Sequence, residues 1–261
     1  MKSVSLAKFE EGTINEDAAI AKKNVIAVSD GAGGGGVFAE RWSDYLVNHL
    51  SDTPINTYES FDKWIDGIWE SFYNECEVEA KKIGGLFLNK FYDEGSFATL
   101  AAVWVNGTWI CYGDSVAFCY NQKTKELQHS FTRLVDYNNP PFLINCKDPL
   151  NENGYRSGQF IINGDSVVFV TSDTLAHYIL MMYEVAHKDI FAGELEEAIN
   201  AQTKNGNFIK SALGMKKVNF EKDVLSKLIS GVKNAGNFRR FLEGLRKKGL
   251  IGHDDYSIAM M

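Results

Sequence analysis

Basic charge is what this chain of 261 residues has too little of: 27 Lys and Arg stand against 34 Asp and Glu, a formal net charge of −7. A nucleic-acid partner calls for a basic face that neutralises phosphates, so neither DNA nor RNA is expected as a ligand. Cysteine is scarce too. Cys76, Cys111, Cys119 and Cys146 are widely spaced without a CxxC pair, which argues against a zinc cage or a disulfide framework and for buried free thiols. Long apolar runs are missing: Phe97 to Val105, broken only by Thr99, falls well short of the roughly 20 residues that cross a bilayer. The N-terminal MKSVSLAKFEEG has no apolar stretch of signal length and turns acidic at Glu10. No membrane contact is expected, and a cytoplasmic location is. The histidines give no ligand pair: His49, His129, His177 and His187 show no metal spacing, and His253, at a helix-to-strand junction, is expected to be exposed.

What is present is a globular composition, 45% hydrophobic and 13% aromatic. A chain of this length buries a sizeable core, and one domain over residues 1–261 is expected. Short apolar or alternating segments at Ser3 to Phe9, Ala18 to Ala21 and Val25 to Ser29 predict strands. Helical spacing follows in Val37 to Leu50 and in Phe61 to Lys82, where Trp64, Ile65, Ile68, Trp69, Phe72 and Tyr73 read as a core face. Strand character returns from Phe97 to Tyr120, with Asn106-Gly107 as the hairpin turn between Ala101 to Val105 and Trp109 to Tyr112. The polar stretch Asp136 to Gly158, with Pro140 and Pro141, reads as a surface loop. Strands are predicted at Gln159 to Asn163 and Ser166 to Ser172. Helices then follow over Leu175 to Ala186, Glu194 to Thr203, Asp223 to Val232 and Phe238 to Lys248, and a last strand over Tyr256 to Met261. This order is not the regular alternation of a doubly wound parallel sheet; it predicts mostly antiparallel sheets with helices outside.

The run Gly31-Ala32-Gly33-Gly34-Gly35-Gly36 matches GxGxxG, follows a strand, precedes a helix and has Asp52 about 20 residues on, as a dinucleotide fingerprint asks. The context contradicts that reading. The next element after Leu50 is a second helix where a parallel strand is required, and Asp30 directly against the glycines would repel a pyrophosphate.

Acidic residues recur beside strands, in Asn15-Glu16-Asp17, Ser29-Asp30-Gly31, Ser172-Asp173 and His253-Asp254-Asp255. Any one of them reads equally well as a turn former or helix cap. Gathered at the ends of neighbouring strands, they would raise one another's pKa unless a hard cation kept them ionised, and oxygen donors suit Mg²⁺ or Mn²⁺.

Six segments in order, NEDA (Asn15 to Ala18), VSDGAGG (Val28 to Gly34), GSFATLAAVWV (Gly95 to Val105), GDS (Gly113 to Ser115), FVTSD (Phe169 to Asp173) and DDYSIAMM (Asp254 to Met261), span nearly the whole chain. This set resembles the metal-dependent protein phosphatases of type 2C. The resemblance implies an α+β fold, a four-layer α/β/β/α sandwich of two antiparallel sheets flanked by helices. It implies hydrolysis of phosphoserine and phosphothreonine in a protein substrate with two Mn²⁺ or Mg²⁺ ions and no covalent intermediate. By the same resemblance Asp30 bridges the two metals, Gly31 offers its carbonyl, and Asp173 and Asp254 are the remaining metal ligands. Glu16 and Asp17 correspond to the acidic pair that orders water in catalysis, Gly33 and Gly34 shape the turn, and Asp114 is taken as structural. Asp93 and Glu94 lie near where some relatives place a ligand for a third metal, one residue out of step.

The chain departs from the pattern in several places. Gly12 stands where relatives commonly carry an arginine that grips the phosphate, Ala32 where many carry a histidine, Val116 where arginine is usual, and Thr174 where glycine follows the aspartate. The first expectation is therefore a phosphatase, and the alternative a catalytically weak relative that binds phosphoproteins as a regulatory module.

Overall fold

The computed structural model describes residues 1–34 and 36–261, so Gly35 of the glycine run lies outside the described residues. The chain opens with strands β1 (Lys2–Leu6), β2 (Ala18–Ala21) and β3 (Val25–Ser29), then helices α1 (Ala39–Asn48), α2 (Tyr58–Asp66), α3 (Trp69–Ile83) and α4 (Gly85–Glu94). Strands β4 (Phe97–Ala98), β5 (Leu100–Trp104), β6 (Thr108–Tyr112), β7 (Val116–Asn121), β8 (Leu127–His129), β9 (Ile144–Asn145), β10 (Tyr155–Gln159) and β11 (Ser166–Thr171) come next. Helices α5 (Asp173–Ala186), α6 (Ala192–Asn200), α7 (Lys204–Leu213), α8 (Ser226–Gly231) and α9 (Ala235–Lys247) precede the final strand β12 (Tyr256–Met260).

Two five-stranded sheets run β1-β12-β11-β7-β8 and β10-β6-β5-β3-β2, with every pairing antiparallel. Small side chains let the sheets approach: Ile26, Val28, Ala101, Val103 and Cys111 of the second face Ala117, Cys119, Val168, Val170 and Ala259 of the first. Trp42, Leu46, Phe61, Phe72 and Phe91 of the first helical group pack on the outer face of the second sheet. The other sheet is covered by α5 to α9, with Phe169, Ile179, Leu228, Phe238 and Leu242 among the buried contacts. The result is the four-layer α+β sandwich with helices on both outer faces, as the sequence led us to expect. Helix α5 is apolar nearly all round, buried from Leu175 through Met182, because α7 and α9 close over the face it turns away from the sheet.

The β5–β6 hairpin turns at Asn106-Gly107 as expected, with Gly107 at φ +89°. All four cysteines are free and buried. Several expectations are corrected, among them the strand expected over Gln159 to Asn163, which is irregular beyond Gln159. Phe61 to Lys82 is two helices, because Gly67 closes α2 by donating its N–H to Lys63 O and Trp64 O. The N-terminus of α2 moves out to Tyr58, capped by reciprocal Thr57–Ser60 bonds. Residues 155–159, inside the stretch read as loop, form the edge strand β10, whose polar sequence YRSGQ hides its pairing with β6. Asp223 to Val232 divides into a wide π-type turn over Glu221–Leu225 and the short α8. Among the described residues, no helix is long and apolar enough to cross a membrane.

Candidate metal centre

Strand register brings the acidic segments to one end of the sandwich. Ala18 pairs with Ser29, Leu100 with Tyr112, Thr171 with Val116, and Leu6 with Tyr256. The residues just beyond these pairs, Asp17, Asp30, Asp114, Asp173 and Asp254, therefore leave their strands at the same edge.

Asp30 sits at the centre of this group. Burial pushes its carboxyl well above the ordinary range, and the charges of Asp17, Asp173, Asp114 and Asp254 push in the same direction. The Asp30 carboxyl is close enough to Asp173 to lower it. Asp173 is itself raised by burial, partly offset by the backbone N–H of Thr174. Asp17 is buried and likewise well raised, first by burial; the hydroxyls of Ser172 and Ser257 beside it offset only part of this. Asp17 Oδ2 is buried without a hydrogen-bond partner. Asp114 is raised to about 8, again by burial first and then by Asp173. Asp254, at the exposed rim, is raised to about 6 by burial and Asp173. Asp114, taken from the sequence as structural, thus shares the electrostatics of the group.

The backbone fixes this arrangement. Ser29 Oγ donates to Thr99 O at 2.6 Å, Thr99 Oγ1 and Ser115 Oγ are 2.6 Å apart, and the backbone N–H of Asp30 donates to Thr99 Oγ1 at 3.3 Å. This buried chain ties the end of β3 to the Gly113-Asp114-Ser115 turn. Gly31 forms an isolated bridge with Ala98 in which the hydrogen bonds run from Thr99 N to Asp30 O and from Ala32 N to Phe97 O. The bridge therefore does not use the carbonyl of Gly31. A Cβ at Gly31 would meet Glu16 O at 2.5 Å and Ala39 O at 2.7 Å, so only glycine fits there.

Of the paired aspartates before β12, the structure separates the roles. Asp255 is buried and its carboxylate accepts the backbone N–H groups of Lys8 at 2.8 Å and Glu16 at 2.6 Å, pinning the N-terminal loop. Glu16 lies half-buried against Gly33; burial raises it, while the charge of Lys8 and a bond from the Gly33 backbone lower it. Asp93 and Glu94 stand apart in the last turn of α4, Glu94 within 3.6 Å of Lys90, and neither is among the charges acting on Asp30 or Asp173.

Gly12 is exposed at φ +79°. Positive charge reaches the group from two residues that sequence reasoning passed over. Lys8 acts on Glu16 and Asp254. Arg156, on β10 opposite Cys111, donates from Nη2 to Gly113 O at 2.5 Å, lies 5.3 Å over the Phe131 ring and lowers Asp114. Its Nε is buried without a partner. Reading Asp136 to Gly158 as loop concealed this arginine, which only the β10–β6 pairing brings beside Gly113.

Among the described residues, no three His, Cys, Asp or Glu side chains close around a common point as a ready ligand shell. The donor chemistry nevertheless fits a hard cation: the group is all oxygen, its members raise one another's affinity for protons, and Asp17 Oδ2 lacks a donor.

No protein-family description matches the chain, and no curated protein matches it in sequence. Solved structures do match over its full length. The serine/threonine phosphatase Stp1 from Staphylococcus aureus is 12% identical, with 100% of this chain and 94% of that one covered and a TM-score of 0.52. The catalytic domain of the serine threonine protein phosphatase PstP in complex with two manganese ions is 15% identical, with 99% and 95% covered and a TM-score of 0.51. A bacterial serine phosphatase bearing an arginine-to-lysine mutation is 12% identical, with 100% and 96% covered and a TM-score of 0.50. At these identities the likeness is one of fold.

Proposed function

We propose that this chain is a metal-dependent phosphatase that removes phosphate from phosphoserine and phosphothreonine in cytoplasmic proteins. The observation that carries the reading is the convergence of Asp17, Asp30, Asp173 and Asp254 at one end of a sandwich whose fold is shared with serine/threonine phosphatases. Asp30, Asp173 and Asp254, with the Gly31 carbonyl, would hold two Mn²⁺ or Mg²⁺ ions. Such a pair, when bound, supplies Lewis-acid activation of water and neutralises phosphate charge.

The chain's own groups supply the rest. Asp17, with one oxygen lacking a donor, accepts a hydrogen bond from the attacking water, and Glu16 at the rim orients it. Arg156, whose Nη2 donates to Gly113 O beside Asp114, would supply positive charge to the phosphate in place of the arginine absent at Gly12. The hydroxyls of Ser29, Thr99 and Ser115 are tied to one another or to the backbone.

The test is hydrolysis of an aryl phosphate and of a phosphothreonine peptide, with and without Mn²⁺, by the native protein and by Asp30→Ala. Turnover that needs both the metal and Asp30 is expected. No metal-dependent turnover, or equal turnover by the variant, overturns the reading. Phosphopeptide binding without turnover would instead support the regulatory alternative, which the bare Gly12 position favours.

A further inference from the structure

A second group of buried polar atoms lies away from the acidic end, where the edge strand β8 meets the later turns of α5. A cavity of about 340 Å³ is lined there by Glu126, His129, Leu180, Tyr183, Glu184 and Phe191. Glu184 is 7% exposed, and its Oε2 is buried without a hydrogen-bond partner. His129 Nδ1 is also buried without one. Burial lowers the His129 ring, so it is held neutral, with one ring nitrogen able to accept. Two acceptors without donors thus line one cavity.

The surrounding charge has a single sign. Glu126 lines the cavity and the charge of Glu194 acts on Glu184, while the nearby cation Lys125 is engaged by Glu221 at 2.7 Å. Burial, reinforced by Glu194, raises Glu184 to about 7, the signature of a carboxylate without a countercharge. The wall is aromatic on one side, where Tyr183 and Phe191 meet edge to face with centroids 5.9 Å apart. Among the described residues no metal-ligand set of three side chains forms here. An occupant that satisfies these groups must donate hydrogen bonds, carry positive charge and present some apolar surface.

We propose that this cavity binds a protonated primary amine, its ammonium donating to Glu184 and His129 and its alkyl part lying against Tyr183 and Phe191. The assignment is independent of the phosphatase reading, since none of these residues belongs to the acidic group.

The probe is n-butylammonium, titrated calorimetrically into the full chain at pH 8, with n-butanol and tetramethylammonium as comparison arms. Saturable binding of one n-butylammonium is expected. Butanol lacks the charge and tetramethylammonium lacks the N–H donors, so each binds weaker by about tenfold or more, the worth of a charge-assisted hydrogen bond. Glu184→Gln loses binding by a similar factor and His129→Phe by several-fold, with folding of each checked by circular dichroism. Absence of saturable binding to the native protein, equal binding of tetramethylammonium, or unchanged binding by Glu184→Gln overturns the proposal.

Discussion

The carboxylate of Glu16 occupies the space in which a Cβ of Gly33 would stand. The glycine run after β3 is therefore an accommodation for an acidic side chain arriving from the N-terminal loop, where the same letters in a nucleotide-binding protein accommodate a pyrophosphate.

Gly33→Ala should accordingly displace Glu16. We expect only a small loss of stability, because the atoms that give way are the far end of a half-buried, flexible side chain. The loss should largely disappear in a Glu16→Ala background, because the clash and its partner are removed together. A double-mutant cycle by urea denaturation measures the coupling; additive losses would count against the relationship.

Asp30 is surrounded by carboxylates that repel it. Replacing it with Asn should raise the melting temperature in excess chelator while abolishing the upward shift that Mn²⁺ gives the native protein. Thermal scans with EDTA and with Mn²⁺ read both effects. A native melting temperature indifferent to Mn²⁺ would contradict the metal assignment.

Arg156 should separate charge from geometry. Arg156→Lys keeps the charge but loses the planar fork, and Arg156→Met loses both. We expect KM for an aryl phosphate to rise about tenfold or more in Arg156→Met and by a smaller factor in Arg156→Lys, as lost charge-assisted hydrogen bonds require. Steady-state kinetics in saturating Mn²⁺ decides; an unchanged KM in both removes Arg156 from phosphate binding.

Two buried groups on α5 give stability opposite dependences on pH. Glu184 is raised from 4.5 to about 7 by burial, so its contribution is whole below pH 4.5 and is lost as pH rises through 7. The loss is about 3 kcal/mol at roughly 1.4 kcal/mol per unit. His177, wedged between Tyr137 and Phe208, is lowered from 6.5 to about 4 by burial, so its contribution is present above pH 6.5 and is lost as pH falls toward 4. Glu184→Gln should flatten the alkaline side of the profile, and His177→Phe the acid side. Chemical denaturation from pH 4 to 9 tests both; parallel profiles for native and variant proteins would refute the assignments.

The sequence by itself determined mostly antiparallel sheets with helices outside them, because strand-length apolar segments punctuated by turns come in blocks apart from the helices, while the sandwich is what the resemblance implies. It also singled out the acidic segments holding Glu16, Asp17, Asp30, Asp173 and the pair Asp254-Asp255, since acidic residues at strand ends are a local pattern, and the resemblance implies Asp254 as the ligand of that pair. Only the tertiary structure tied Asp255 to the backbone N–H groups of Lys8 and Glu16, near the other end of the chain, leaving Asp254 at the exposed rim. It alone brought Asp114 into the electrostatics and set Arg156 beside it, through the pairing of a polar edge strand that carries no hydrophobic period. Local pattern specifies which face a residue takes within its own element; which charges meet is fixed by register between strands far apart in sequence, and that information is held in the packed sheets.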